Sequence, residues 1–135
     1  MTRNEFARWL ARYEEAWRTE GTDMVAELFA PDAAYSPGPY ETTQHGLDAI
    51  NRIWESERVG PDEAFTMDSE IVAVDGDTGV ARIQIVYRGP PVQEYRDVWI
   101  VRVDADGRCV SFEEWPYWPP GTSGQVAGHG TPPSS

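Results

Sequence analysis

The chain is poor in the residues that make disulfides, metal centres and basic surfaces. Its one cysteine, Cys109, cannot close an internal disulfide, and no Cys or His stands beside it at zinc-ligand spacing. There are only two histidines, His45 and His129, and no carboxylate cluster at ligand spacing, so no metal is expected. Phosphate loops, nucleophile elbows and dinucleotide fingerprints are also missing, and no cofactor is expected. Eleven basic residues face twenty-three acidic ones, for a net charge of -12. Such a surface repels phosphate backbones and anionic headgroups, which argues against nucleic acid and membranes as partners. No apolar run approaches bilayer length, and the N-terminus lacks the layout of a signal peptide, so a cytoplasmic location is expected.

What is abundant is aromatic. Six Trp, six Tyr and four Phe in 135 residues, within a hydrophobic content of 40%, are enough to build one core. Trp and Tyr carry a polar atom on an apolar ring, so they can line a cavity as readily as fill an interior.

Apolar spacing divides the chain into a helical half and a strand half. Thr2 and Glu5 have capping-box spacing, and Phe6, Trp9, Leu10, Tyr13 and Trp17 follow as one helix face, running to about Glu20 and stopping at Gly21. Thr22 is placed to cap a second helix with Val25, Leu28 and Phe29 as its stripe, ended by Pro31. Ala33 to Thr43 reads as a short extended piece and a loop, and Leu47, Ile50, Ile53 and Trp54 as a third helix ended by Gly60-Pro61. From Phe65 the period becomes two. Strands are expected at Phe65 to Ala73, Val80 to Arg88, Glu94 to Val103 and Arg108 to Trp115, joined as an antiparallel meander and broken once by Gly89-Pro90-Pro91. Residues 1–118 make the domain, and the Gly, Pro, Ser and Thr of 119–135 read as a disordered tail.

This order, together with Leu28-Phe29-Ala30-Pro31-Asp32-Ala33-Ala34-Tyr35, Gly46-Leu47-Asp48-Ala49-Ile50 and Asp106-Gly107-Arg108, resembles the nuclear-transport-factor-2-like superfamily and its SnoaL-like members. The resemblance implies an α+β cone: a curved antiparallel sheet of about four long strands plus a short one, wrapped by three N-terminal helices around a pocket. Its members include ketosteroid isomerases, epoxide hydrolases, polyketide cyclases and proteins without known activity, so the fold does not choose a chemistry. Tyr13 falls where the ketosteroid isomerases keep an oxyanion-stabilising tyrosine. Their general-base aspartate falls near Pro37 and their second aspartate on Trp99, so isomerisation of that kind is not implied. The epoxide hydrolases hold a water with two carboxylates bridged by an arginine, and Glu114 falls at one of those carboxylates. Asp97 shares strand parity with Trp99, and Arg82 or Gln84 on the neighbouring strand is placed to bridge.

The catalytic candidates are therefore Tyr13, Asp97, Glu114 and Arg82. The ligand-lining candidates are Trp17, Phe29, Tyr35, Trp54, Phe65, Trp99 and Phe112, with Tyr40 and His45 on a loop that can fold over the mouth. Each has a plainer reading. The aromatics are core, Asp97 beside Arg96 is half of a surface ion-pair ladder, and His45 is a cap. Glu113 and Glu114 point to opposite faces; parity with Phe112 favours Glu114, whereas parity with Cys109 favours Glu113. The expected ligand is a small apolar molecule and the expected assembly a homodimer, since both faces of the third long strand are apolar. Three functions stay open: a cofactor-independent cyclase, isomerase or hydrolase, a binder of hydrophobic ligands, or an assembly domain.

Overall fold

The computed structural model describes residues 1–58, 64–88 and 93–120. Helix α1, Arg3–Arg18, opens on the expected capping box: Thr2 Oγ1 accepts from Glu5 N at 3.1 Å, and Glu5 Oε1 accepts from Thr2 N at 2.7 Å. It buries Phe6, Trp9, Leu10, Tyr13, Ala16 and Trp17 along one stripe. The second helix shrinks to a single turn, α2, Val25–Leu28, whose N-cap is Met24 with no side-chain cap. Thr22 does not cap it; its carbonyl accepts from Val25 N instead. Pro31 is the physical reason. Its ring disfavours helical backbone in the residue before it, and the chain runs extended as β1, Phe29–Ser36. The two-residue β2, Gln44–His45, pairs with β1, and α3, Leu47–Glu57, follows.

Four long strands follow as the periodicity indicates: β3, Phe65–Asp75; β4, Thr78–Tyr87; β5, Gln93–Val103; and β6, Cys109–Tyr117. The expected stops at Gly60-Pro61 and Gly89-Pro90-Pro91 lie outside the described residues, as does the tail from 121 on.

The sheet departs from the simple meander. It is an open, curved, mixed sheet of six strands in the order β2-β1-β6-β5-β4-β3. β3 to β6 are antiparallel neighbours, but β1 lies parallel to β6, with Tyr35 opposite Phe112 and Ser36 opposite Glu113. Sequence periodicity exposes strand parity but not which distant strand an edge will find.

The inner face carries the core, and α1 packs so closely that Phe6 lies on Gly79 of β4. A Cβ built at Gly79 would fall 2.5 Å from the Phe6 ring. Two bulges set which residues face inward. Val72 is the extra residue in β3 between Ile71 and Ala73, and Val110 the extra one in β6, where Cys109 faces Val103 and Ser111 faces Arg102. Both readings of β6 are therefore half right: Cys109 is inside, and beyond the bulge so are Phe112 and Glu114. The hairpin before it is tied by Asp104 Oδ1, which accepts from Asp106 N at 2.9 Å and Arg108 N at 3.0 Å, with Gly107 taking the left-handed φ of 79°.

Candidate functional site

The centre of the inner face is acidic. On the β5–β6 ladder Trp99 lies opposite Glu114 and Asp97 opposite Pro116, so Asp97 and Glu114 are a diagonal pair on one face. Asp97 is 2% exposed and Glu114 0%. Asp97 Oδ2 accepts a hydrogen bond from Trp99 Nε1 at 2.9 Å. The carboxyls come close enough to share a proton. Burial pushes Glu114 well above the ordinary carboxyl range, and the charge of Asp97 pushes it further. Burial raises Asp97 too, but the Glu114 and Trp99 side chains and nearby backbone donors oppose the rise. The pair thus holds one proton, on Glu114, and one charge, on Asp97.

Close as the carboxyls are, no donor completes a well-formed hydrogen bond to Asp97 Oδ1, and the buried hydroxyl of Tyr35 and indole nitrogen of Trp54 are in the same position. Buried polar atoms of this kind are uncommon and call for a reason, a ligand or water among them.

Tyr13 reaches the pair from α1. Its ring lies 4.5 Å from that of Trp99, 5.0 Å from Trp54 and 5.7 Å from Phe112, measured between centroids. Burial, then the nearby Glu114, pushes its hydroxyl well above the usual range, so it stays protonated and can donate. Tyr35 behaves alike. Trp17, Phe29, Trp54, Phe65, Trp99 and Phe112 are all buried around this centre. A void of about 10 Å³ touches Tyr13, Trp17, Phe65, Tyr87, Tyr95 and Trp99, enough for one water-sized group.

Three expected site residues are elsewhere. Arg82 lies on the outer face opposite Val98, paired with Glu70 at 2.8 Å, its side chain 66% exposed; Gln84 shares that face. Strand parity is the reason: Asp97 pairs with Ile83, and it is Ile83 whose side chain turns inward. Arg82 therefore does not bridge the carboxyls, and Trp99 is the side-chain donor to Asp97. Tyr40 is 90% exposed, and His45 is exposed at the sheet edge, so neither covers the interior.

Glu57 was not anticipated. It is 5% exposed at the end of α3, and its charge acts on Tyr13, Tyr35 and Glu114. The signal was present, since Glu57 stands three residues after Trp54 and seven after Ile50 on the buried stripe. Cys109 is no nucleophile, because burial pushes its thiol up to about 12. Among the described residues no cluster of three or more His, Cys, Asp or Glu has metal-binding geometry, and no helix is long and apolar enough to cross a membrane.

A family model described as the SnoaL-like domain matches residues 10–112, which span α1 to β6 and all but the second carboxylate of the pair. The chain belongs to the SnoaL-like domain family. No curated protein matches this SnoaL-like chain. Among solved structures it is similar to SalBIII, an epoxide hydrolase/cyclase-like enzyme with a role in pyran ring formation in polyether salinomycin. That match has 14% identity and a TM-score of 0.66, covering 82% of this chain and 89% of the other. A protein from Jannaschia sp. CCS1 described as a SnoaL-like polyketide cyclase gives 15%, a TM-score of 0.68 and coverage of 84% and 85%. An M. tuberculosis LEH-like epoxide hydrolase gives 14%, a TM-score of 0.63 and coverage of 84% of each chain. At such identities the likeness shows the shared fold of the SnoaL-like domain and no more.

Proposed function

We propose that this SnoaL-like domain is a cofactor-independent acid–base enzyme of the cyclase or hydrolase type acting on a small apolar cyclic or aromatic molecule. The observation that carries the reading is the buried Asp97–Glu114 pair, one member protonated and the other charged within the same interior. Two carboxyls whose surroundings drive them to opposite protonation states are an acid and a base ready for use. Asp97 takes the proton of a water or substrate hydroxyl as its oxygen attacks carbon. Glu114 delivers its proton to the oxygen leaving that carbon, with Tyr13 donating a hydrogen bond to it. Water as nucleophile gives a diol, and an internal hydroxyl gives a ring. Passage of the new proton from Asp97 to Glu114 restores the pair. No lysine occurs in the chain, so a Schiff base on a lysine amine is not an option.

The void of about 10 Å³ favours a second reading, in which the interior is filled by its own rings and the domain serves assembly. The outer sheet face suits a second copy. Val98 and Ile100 are half-buried there, and Trp115 and Tyr117 are exposed, around the Arg82–Glu70 pair. A homodimer through this face and a cytoplasmic location belong to both readings. Incubation with a panel of cyclic and aryl epoxides and epoxy-alcohols, followed by mass spectrometry, separates the two. Acid–base catalysis requires diol or cyclic ether from the native protein and none from Asp97→Asn. Unchanged substrates beside a stable dimer in sedimentation leave the assembly reading.

A further inference from the structure

Among the described residues every buried charged side chain is acidic: Glu57, Asp97 and Glu114. The chain's eleven basic residues are all arginines, and none of those described is buried. Tyr95 and Trp99 flank Asp97 on the inner face of β5, and both line the water-sized void. The rest of that wall is also aromatic, with Tyr13, Trp17, Phe65 and Tyr87. Rings of this wall already hold cations from the rim. The Arg18 guanidinium stands 4.0 Å over Phe65, and that of Arg58 lies 5.9 Å from Trp17 and 5.8 Å from Trp54.

We infer that the ligand of this interior is an apolar amine in its ammonium form, with the charged head in the ring-lined void beside Asp97 and the hydrocarbon toward Trp17 and Phe65. This deepens the acid–base reading by naming the substrate class of the same site. The void matches the head group in size, since an ammonium occupies about the volume of a water. Its N–H groups meet atoms that lack donors, Asp97 Oδ1 first and the Tyr35 hydroxyl oxygen second. A neutral ligand leaves the buried charge of Asp97 without a counter-ion, and an anionic ligand adds a like charge beside three buried acids. Aromatic faces attract a cation most where water is excluded, which is the condition here.

Benzylammonium chloride and benzyl alcohol, similar in size and different in charge, test this by calorimetry on the full chain at pH 7. The amine is expected to bind about tenfold tighter or better, in keeping with a desolvated cation among rings. Binding should release a proton, read from the heat in buffers of different ionisation enthalpy, because an ammonium beside Asp97 frees Glu114 to ionise. The groups facing the pair are Glu57 from α3, Tyr13 from α1, Tyr35 from β1 and Tyr95 from β5; the tyrosines hold their protons at this pH, so the released proton is a carboxyl one. In folded Asp97→Asn the preference for the amine should vanish. Equal or tighter Asp97-dependent binding of benzyl alcohol overturns the amine and leaves the acid–base site standing. Absence of Asp97-dependent binding by either probe overturns both. The two-probe comparison and the proton count need only the native protein, so they hold even if the variant does not fold.

Discussion

Replacing Glu114 by Gln turns the proton assignment into a stability measurement. Gln keeps the shape of the protonated acid and still donates toward Asp97, but it cannot ionise. In the native chain Glu114 has a pKa well above the 4.5 of the unfolded state. A raised folded-state pKa means that the native state binds more protons than the unfolded one between the two values. The stabilisation is complete below pH 4.5 and is lost as pH rises through the folded value. The loss is at most about 1.4 kcal/mol per pH unit for one proton. From pH 5 to pH 7 the native protein should lose up to about 2.7 kcal/mol relative to Glu114→Gln. For a domain of this size that corresponds to roughly 8–13 °C in Tm. Urea and thermal unfolding at pH 5, 6, 7 and 8, followed by circular dichroism for both proteins, read this difference directly. Other titrating groups are shared, so they largely cancel in the comparison. Curves that stay parallel across that range would refute the proton on Glu114, and with it the division of the pair into acid and base.

Two further substitutions test the packing and the site boundary. Gly79→Ala should destabilise by about 1–3 kcal/mol in urea unfolding, because its Cβ meets the Phe6 ring at 2.5 Å and α1 has to shift. Arg82→Ala removes an exposed ion pair on the far side of the sheet, so it should cost no more than about 1 kcal/mol and leave turnover of any substrate found unchanged; a catalytic loss would return Arg82 to the site.

The strands and helices α1 and α3 were legible because long amphipathic segments declare their period, and the acidic centre because Asp97 sits among Tyr95, Trp99 and Val101 on an apolar face. What failed failed for local physical reasons. Arg82 was assigned to the cavity without its cross-strand partner, and only the pairing of Asp97 with Ile83 shows that an even-numbered residue of β4 faces outward. The choice between Glu113 and Glu114 turned on the bulge at Val110, which reverses parity within one strand and has no mark in composition. Glu57 was passed over because an acid at the end of a helix reads as solvated, although its spacing from Trp54 places it inside. The parallel pairing of β1 with β6 is set by neither period nor turn chemistry.

That pairing gives the chain a timetable. Phe29 of β1 waits for Cys109 and Tyr35 waits for Phe112, across nearly the whole length of the domain. As the polypeptide leaves the ribosome, β3, β4 and β5 can form hairpins while β1 and β2 still lack their neighbour in the sheet. The strand that completes the sheet also brings Glu114, so the acid reaches Asp97 at the moment the last seam closes. A nascent chain ending before β6 would expose two unsatisfied strand edges and half of a proton-sharing pair.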